Sequence, residues 1–446
     1  MKRPLILLIN PWIHDFAAYD LWARPLGLLV LASVLRRHGW EPRLVDCLDP
    51  EHPEMKSVKV RPHAHGRFAR AAIPKPKPLE DVARTYSRYG VDPQIVEKDL
   101  VSISRPEAIL VTSLMTYWYP GVQEAVCLVR KVFPDVPLIL GGVYASLLPN
   151  HARSHARPDE LVVGPGEAAL PQTLRRLTGK GDAGAATDAL ECEPALDLMP
   201  HMRFLPLITS RGCPFQCTYC ASRIIVGRYV RRDIGEVIRE IHEARTRYGI
   251  RDIALYDDAF LVNAPSHALP ILDHVAEQVP GMRWHAPNGL HASAIDRRVA
   301  TAMKQAGFET IRIGLETTSN RFHDESGSKT NLRDFLSAVS NLRESGFTTE
   351  RIGVYLLVGV PGQSKAQIED DIALVLKSGA HPKLAEYSPI PGTLMWEHAV
   401  RTTRYPIADE PLFHNCTLLP AAEPGVDSAF LRDARKMIRE SLSSRS

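Results

Sequence analysis

Three cysteines, Cys213, Cys217 and Cys220, fall on one short stretch, Thr209-Ser210-Arg211-Gly212-Cys213-Pro214-Phe215-Gln216-Cys217-Thr218-Tyr219-Cys220. Three thiolates on one loop can bind three corners of a cubane iron–sulfur cluster and leave the fourth iron open to an outside ligand. That open iron is where chemistry can occur. Zinc is the competing metal, but a structural zinc site wants four ligands in paired short spacings, and no second CxxC pair occurs. Two further groups of titratable residues stand out. Tyr256-Asp257-Asp258-Ala259-Phe260 offers a carboxylate pair able to serve as general acid and base, although either Asp257 or Asp258 could instead cap a helix. Asn288-Gly289-Leu290-His291 offers His291 for substrate contact or proton transfer, against the commoner role of a structural hydrogen bonder.

Positioning these groups requires a scaffold, and the chain alternates β-rich runs with helical stretches in two series. In the first, Leu5–Ile9, Arg43–Val45, Ala108–Thr112, Leu138–Leu140 and Leu161–Val163 read as strands, with helical periodicity at Leu26–His38 and Val122–Val132. Such alternation argues for an α/β, doubly wound parallel sheet over residues 1–185. An insertion at about 50–105, rich in Pro, His and basic residues, interrupts it, with a helical-looking piece at Leu79–Tyr89. A loop so long without structure is uncommon in a compact domain, so a partly ordered insertion near the site is expected. Gly179–Ala186 opens a linker that runs over residues 186–204.

The second series has strands near Pro206–Thr209, Asp252–Tyr256, Arg283–Ala286, Thr310–Gly314, Arg351–Val358 and Lys383–Tyr387. Helices such as Ile234–Arg247, Asp296–Gln305, Arg333–Ser345 and Lys365–Lys377 fall between them. Six βα units over residues 205–400 predict a partial barrel with its chemistry at the carboxyl ends of the strands. Residues 401–446 form a tail with a helical segment at Phe430–Leu442.

The CxxxCxxC loop with an aromatic, Tyr219, before its last cysteine resembles that of the radical S-adenosylmethionine superfamily. The resemblance covers about Leu205 to Trp396 and implies a 4Fe-4S cluster on Cys213, Cys217 and Cys220. In that family the open iron chelates S-adenosylmethionine, and one-electron reduction cleaves it to the 5′-deoxyadenosyl radical. Asp257 and Asp258 stand where many members have a contact to the methionyl amino group, and Glu316 matches the usual ribose or amino-group contact. Gly359 and Pro361, in Leu357–Gly362, would border the adenine, unless they mark a plain turn, and Pro389 lies in a segment resembling the one beneath it. A reductant such as flavodoxin or ferredoxin is implied as a partner.

The first half resembles the cobalamin-binding domain that precedes the barrel in one branch of the superfamily, the class B methylases. The matching positions are Asn10 after the first strand and Gly27 in the opening of the first helix. They continue with Ser113 and Leu114 after the third strand, Gly141, Gly142 and Tyr144 after the fourth, and Gly166 and Glu167 after the fifth. All follow carboxyl ends of strands, where an open sheet binds its ligand. The Asp-x-His-x-x-Gly loop that supplies a histidine to cobalt elsewhere is absent, and Pro165 breaks the usual glycine–glutamate run. The aromatic segments Trp12–Trp22 and Tyr117–Tyr119 also follow strands, and a ligand or substrate wall is expected there.

These features imply reductive cleavage of S-adenosylmethionine and methylation of an unactivated carbon in a small-molecule or lipid substrate, with cobalamin as methyl carrier. Radical rearrangement or cyclisation without methyl transfer is the enzymatic alternative, and an iron–sulfur sensor or binding module the non-enzymatic one. Methylthio transfer is disfavoured, because no second set of three cysteines lies in the N-terminal half. Composition is that of a globular protein, 45% hydrophobic and 24% charged, and a net charge of +3 gives no reason to invoke nucleic acid or a membrane surface. No nucleic-acid-binding domain is recognised. The scattered Cys47, Cys127, Cys192 and Cys416 fit reduced thiols, and with no run of spanning length a cytoplasmic location is expected.

Overall fold

In a computed structural model, residues 3–55, 62–182, 192–199, 201–327 and 330–443 are described. They divide into two units, Met1–Met202 and Arg203–Ser446. Strands of the first unit are β1 (Leu5–Asn10), β2 (Ile13–Asp15), β3 (Glu41–Asp46), β4 (Arg70–Ala72), β5 (Ser87–Tyr89), β6 (Ala108–Val111), β7 (Leu138–Leu140) and β8 (Glu160–Leu161). β1, β6 and β7 are buried almost throughout, as strands covered on both faces must be. A parallel sheet runs in the order β3-β1-β6-β7-β8. Its order reverses between β1 and β6, so Asn10 and the residues after Val111 border the crevice where such a sheet takes a ligand. Ile6, Leu8 and Leu110 meet Leu28 and Leu35 of helix Leu26–Arg37 and Leu170 and Leu174 of helix Gly166–Thr178 in one core. Each such side chain contributes about 1.5–3 kcal/mol on burial.

The insertion differs from its expectation. Leu79–Tyr89 is no helix: a 3-10 turn ends at Leu79, and Ser87–Tyr89 becomes β5, held antiparallel between β2 and β4. Tertiary partners override the local pattern there. Ser87 and Tyr89 are buried, the Tyr86 hydroxyl donates to the His14 carbonyl and that of Tyr89 to the Phe16 carbonyl. The insertion also contains a helix, Pro93–Ser102, started by Asp92, whose carboxylate accepts from the Gln94 N–H, and by Pro93 at its first position. Of the expected linker, residues 183–191 and 200 lie outside the described residues. The stretch 192–199 packs on the first unit instead: Ala195 joins its core, the Ser33 hydroxyl donates to the Glu193 carbonyl, and Arg36 pairs with Asp197.

In the second unit the strands are β9 (Phe204–Leu207), β10 (Ser210–Arg211), β11 (Val230–Arg231), β12 (Asp252–Leu255), β13 (Arg283–His285), β14 (Phe308–Glu316), β15 (Ile352–Val358) and β16 (His381–Glu386). Six of them form a parallel sheet in strict chain order, β9-β12-β13-β14-β15-β16, with helices as crossovers: the partial (β/α)6 barrel expected from the alternation. β10 and β11 make a short antiparallel ribbon bracketing the cysteine loop. Helices begin on Asp233, Asp296, Asn331 and Ser364, each accepting an otherwise unpaired backbone N–H. The tail is integral to this unit: Ile407 and Ala421 share a core with Val360 and Tyr387. Among the described residues no helix is long and apolar enough to cross a membrane.

Candidate functional site

The cysteine loop leaves β10 through Gly212, where φ is +76° and a Cβ would lie 2.8 Å from the Arg228 carbonyl oxygen, so only glycine fits the turn. Cys213 and Cys217 are half-buried and Cys220 is exposed, and none is in a disulfide. Backbone bonds from Thr218 N to Ser326 O and from Met395 N to Thr218 O brace the loop from the β14–β15 crossover and from the segment that follows β16.

The two adjacent carboxylates have different positions. Asp257 is buried and accepts from Thr209 N at 2.9 Å, Thr209 Oγ1 at 2.7 Å and Ser210 Oγ at 2.6 Å. Burial pushes its carboxyl up to about 6 against the downward pull of those bonds. It anchors the residues that open the loop, so a general acid–base role, which needs access to substrate, does not fit its position. Asp258 is exposed and accepts from Ser222 Oγ at 2.6 Å, while the Ser222 N–H donates to Cys220 Sγ at 3.5 Å. It therefore stands beside the thiol of the last cysteine.

Glu316 ends β14 with φ +71°, only 7% exposed, after a register shift between Gly314 and Glu316. A left-handed glutamate costs roughly 1–3 kcal/mol, a strain that the surrounding structure must hold. Its charge acts on Tyr219, whose hydroxyl is pushed well above the usual tyrosine range, by burial first, then Glu316 and then Cys217. The Tyr219 ring stacks near Phe322, centroids 6.2 Å apart. Glu316, Phe322, Leu357, Val360 and Pro361 line a cavity of about 240 Å³. Gly359 does not face it openly: the space of its missing Cβ is taken by Leu419 and Ala422 of the tail, at 3.1 and 3.4 Å, with φ +80°. The positive φ and the packing of the tail both favour glycine there. Pro389 is buried beside Ser388, whose hydroxyl donates to the His414 carbonyl. His291 is buried with its ring 4.6 Å from that of Phe215, which brings it to the cysteine loop.

At the carboxyl end of the first unit's sheet, Asn10 donates to Asp46 Oδ1 and Ser113 Oγ to the Gly141 carbonyl. Gly142 has φ +93°, and a Cβ there would lie 2.3 Å from Ser113 O, so β6 and β7 meet there with backbone alone. Leu114, Met115 and Val163 are exposed large apolar residues on this edge. Gly27 is open to solvent, whereas Gly141 and Gly166 have ordinary neighbours. Glu167 is buried in the first turn of its helix.

Tyr144 points inward. It is fully buried, with its hydroxyl 2.6 Å from His151 Nδ1, which removes it from a ligand surface. The expected aromatic wall is also mostly core. Trp12, Phe16, Trp22, Tyr117 and Tyr119 are buried, Trp12 donating to the Val91 carbonyl, while Trp118 Nε1 donates to Asp15 Oδ2. Their shared segments gave no sign of which rings turn inward. Only Tyr19 and Leu21 stay exposed there.

Sequence reasoning missed Ser222 and Phe322 at the cysteine loop, and the His151–His155 pair, whose rings stack 3.7 Å apart. An H-x-x-x-H spacing was the available signal for the last; nothing local marks the other two.

Comparison with known proteins agrees with this geometry. A model of the radical SAM superfamily matches residues 207–375. An uncharacterized methyltransferase of Pyrococcus horikoshii is 28% identical over 70% of this chain and 74% of its own length. The cytidylyl-2-hydroxyethylphosphonate methyltransferase of Streptomyces wedmorensis is 22% identical over 89% of this chain and 82% of its own. Among solved structures, the radical S-adenosylmethionine methyltransferase TsrM from Kitasatospora setae, with cobalamin and a [4Fe-4S] cluster bound, shares the fold. Its TM-score is 0.66 at 17% identity, over 91% of this chain and 76% of TsrM.

Proposed function

Because residues 207–375 form a radical S-adenosylmethionine domain, we propose that this chain is a cobalamin-dependent radical methylase acting on an unactivated carbon of a small-molecule or lipid substrate. One observation carries the reading: a three-cysteine loop beside the strained Glu316 shares a chain with an open sheet whose carboxyl edge keeps Leu114, Met115 and Val163 in solvent. The donor sets fit both groups. Three thiols on one braced loop suit a cluster with an open iron, and an apolar rim over the bare backbone of Gly142 suits a flat macrocycle. The methyltransferase names of the relatives point to the same reaction class.

When bound, the cluster supplies the electron that splits S-adenosylmethionine to the deoxyadenosyl radical, and cobalamin carries the methyl group. Cys213, Cys217 and Cys220 would hold the cluster. Asp258 and Glu316 are the carboxylates available to the amino and ribose groups of the cosubstrate, and Pro361 lines the cavity beside Glu316. Tyr219, Phe322, Leu357 and Val360 make that side of the site apolar, which excludes water from a radical. His291, buried against Phe215, is a titratable group placed to hold a proton near the loop. The exposed rim of the first unit would seat the macrocycle, with no histidine required from the chain.

Anaerobic reconstitution with iron, sulfide and cobalamin tests the proposal. Spectra count the groups bound, and products are assayed for 5′-deoxyadenosine and S-adenosylhomocysteine. Both are expected. Deoxyadenosine alone would sink methyl transfer and leave radical rearrangement; reductive cleavage by a Cys217→Ala variant would sink both.

A further inference from the structure

Alternation along β14 places Thr310, Arg312 and Gly314 on one face, and the strand register carries that face across Gly353 and Tyr355 to His381 and Lys383. It is the inner face of the barrel. The opposite face presents Ile311, Ile313, Ile352 and Val354, all fully buried, and Tyr355 reaches across β14 to donate its hydroxyl to the Pro287 carbonyl at 2.7 Å. A barrel interior is ordinarily filled by branched apolar side chains, and here the layer is basic.

Arg312 lies flat across Gly353, where a Cβ would come within 2.6 Å of Arg312 Nη1 and 2.8 Å of its Cδ. Lys383 Nζ lies 3.2 Å from His381 Nε2. Burial and then the charge of Arg312 push Lys383 down to about 8; burial, Lys383 and Arg312 push His381 down to about 4 against the opposing charge of Glu350. Burial also lowers Arg312. Arg312 already has the Tyr355 hydroxyl beside it and donates to the Ile311 carbonyl at 2.8 Å, but no carboxylate is among the charges acting on Arg312 or Lys383, and among the described residues neither forms an ion pair. Two half-buried cations sharing one space without an acid are costly to hold unless an anion completes the set.

We propose that Arg312 and Lys383 form an oxyanion-binding subsite on the inner face of the barrel, which seats a phosphate, phosphonate or carboxylate group of the substrate. The subsite rests on the radical-methylase reading for its purpose, and it narrows the substrate class to anionic molecules. Guanidinium supplies a planar fork and the ammonium a point charge, the pairing suited to an oxyanion. The methionyl carboxylate of the cosubstrate is a poor candidate for this place. Arg312 precedes Glu316 by four residues along β14, roughly 13 Å along the strand at 3.3 Å per residue, so its backbone lies well below the strand end that carries Glu316.

Pulsed acetylation of the reconstituted full chain at pH 8, with Lys383 modification read by peptide mass spectrometry, tests this directly. Pyrophosphate, methylphosphonate and acetate are titrated separately against sodium chloride of matched ionic strength. At least one oxyanion should protect Lys383 saturably, by about tenfold, and the one that does so names the group. Arg312→Met should abolish the protection and Arg312→Lys restore part of it. S-adenosylmethionine affinity, measured by equilibrium dialysis, should stay within about twofold in Arg312→Met and in Lys383→Met. Protection by no oxyanion, protection by S-adenosylmethionine itself, or loss of S-adenosylmethionine binding in Lys383→Met would each overturn the subsite. Deoxyadenosine formation by the wild type is scored in parallel, so a failure of the radical reading is seen separately from a failure of the subsite.

Discussion

Asp257 and Asp258 are neighbours of one residue type with opposite surroundings, and their substitutions should separate accordingly. Asp257 is buried under three donors with its carboxyl near pH 6, above the ordinary 3.8. Its ionisation opposes folding, so its contribution to stability grows as pH falls from 6 toward 3.8 and is flat above 6. Asp257→Asn should remove that increment, seen as a smaller gain in urea midpoint between pH 7 and pH 5. Asp46, also raised to about 6 by burial, keeps the remainder. Asp258→Ala should leave iron content and folding unchanged and weaken S-adenosylmethionine binding about tenfold, the loss of one hydrogen bond to a charged group, in equilibrium dialysis. Loss of the cluster in Asp258→Ala would instead make it part of the loop's framework. The sequence presented both carboxylates as one acid–base pair; which of them faces outward depends on Thr209 and Ser210, which close over Asp257 only in the fold.

Among the elements, β14 carries the most information. It begins under Trp284, passes Arg312 and ends in the bulge that turns Glu316 into its left-handed conformation. Gly353 on β15 is there because the Arg312 side chain occupies the room a Cβ would need. Gly353→Ala should cost about 1 kcal/mol by overpacking, seen as a lower urea midpoint with the fold retained, and displace the guanidinium, so that oxyanion protection of Lys383 is lost. Full protection in that variant would show that Arg312 does not need this path. The strands of both sheets were legible because parallel strands read as apolar runs between helical stretches. β5 was not, since its pairing with β2 and β4 joins segments far apart in the chain. The helix Pro93–Ser102 was legible in principle from Asp92-Pro93 but lay hidden in a stretch read as an insertion.

At the scale of the whole molecule, each unit has its own core, and each proposed function belongs to one strand end. Cobalamin should raise the thermal midpoint of the wild type by mass action, and Gly142→Ala should lower affinity at least tenfold. A Cβ there meets Ser113 O at 2.3 Å in a backbone conformation that alanine adopts reluctantly, so the β6 and β7 loops must part. Unchanged cobalamin affinity in a folded Gly142→Ala protein would remove this edge from the site. What the sequence determined by itself was the cysteine loop, the parallel architecture and the positions of the strand ends, because thiol spacing and apolar periodicity are local properties of the chain. Burial and partnership were decided only by the tertiary structure. Tyr144 and most of the aromatic segments turned inward, the tail packed against Gly359, and the basic layer of Arg312, His381 and Lys383 arose from strand register. No local pattern encodes those outcomes, since each depends on what a distant segment leaves vacant or fills.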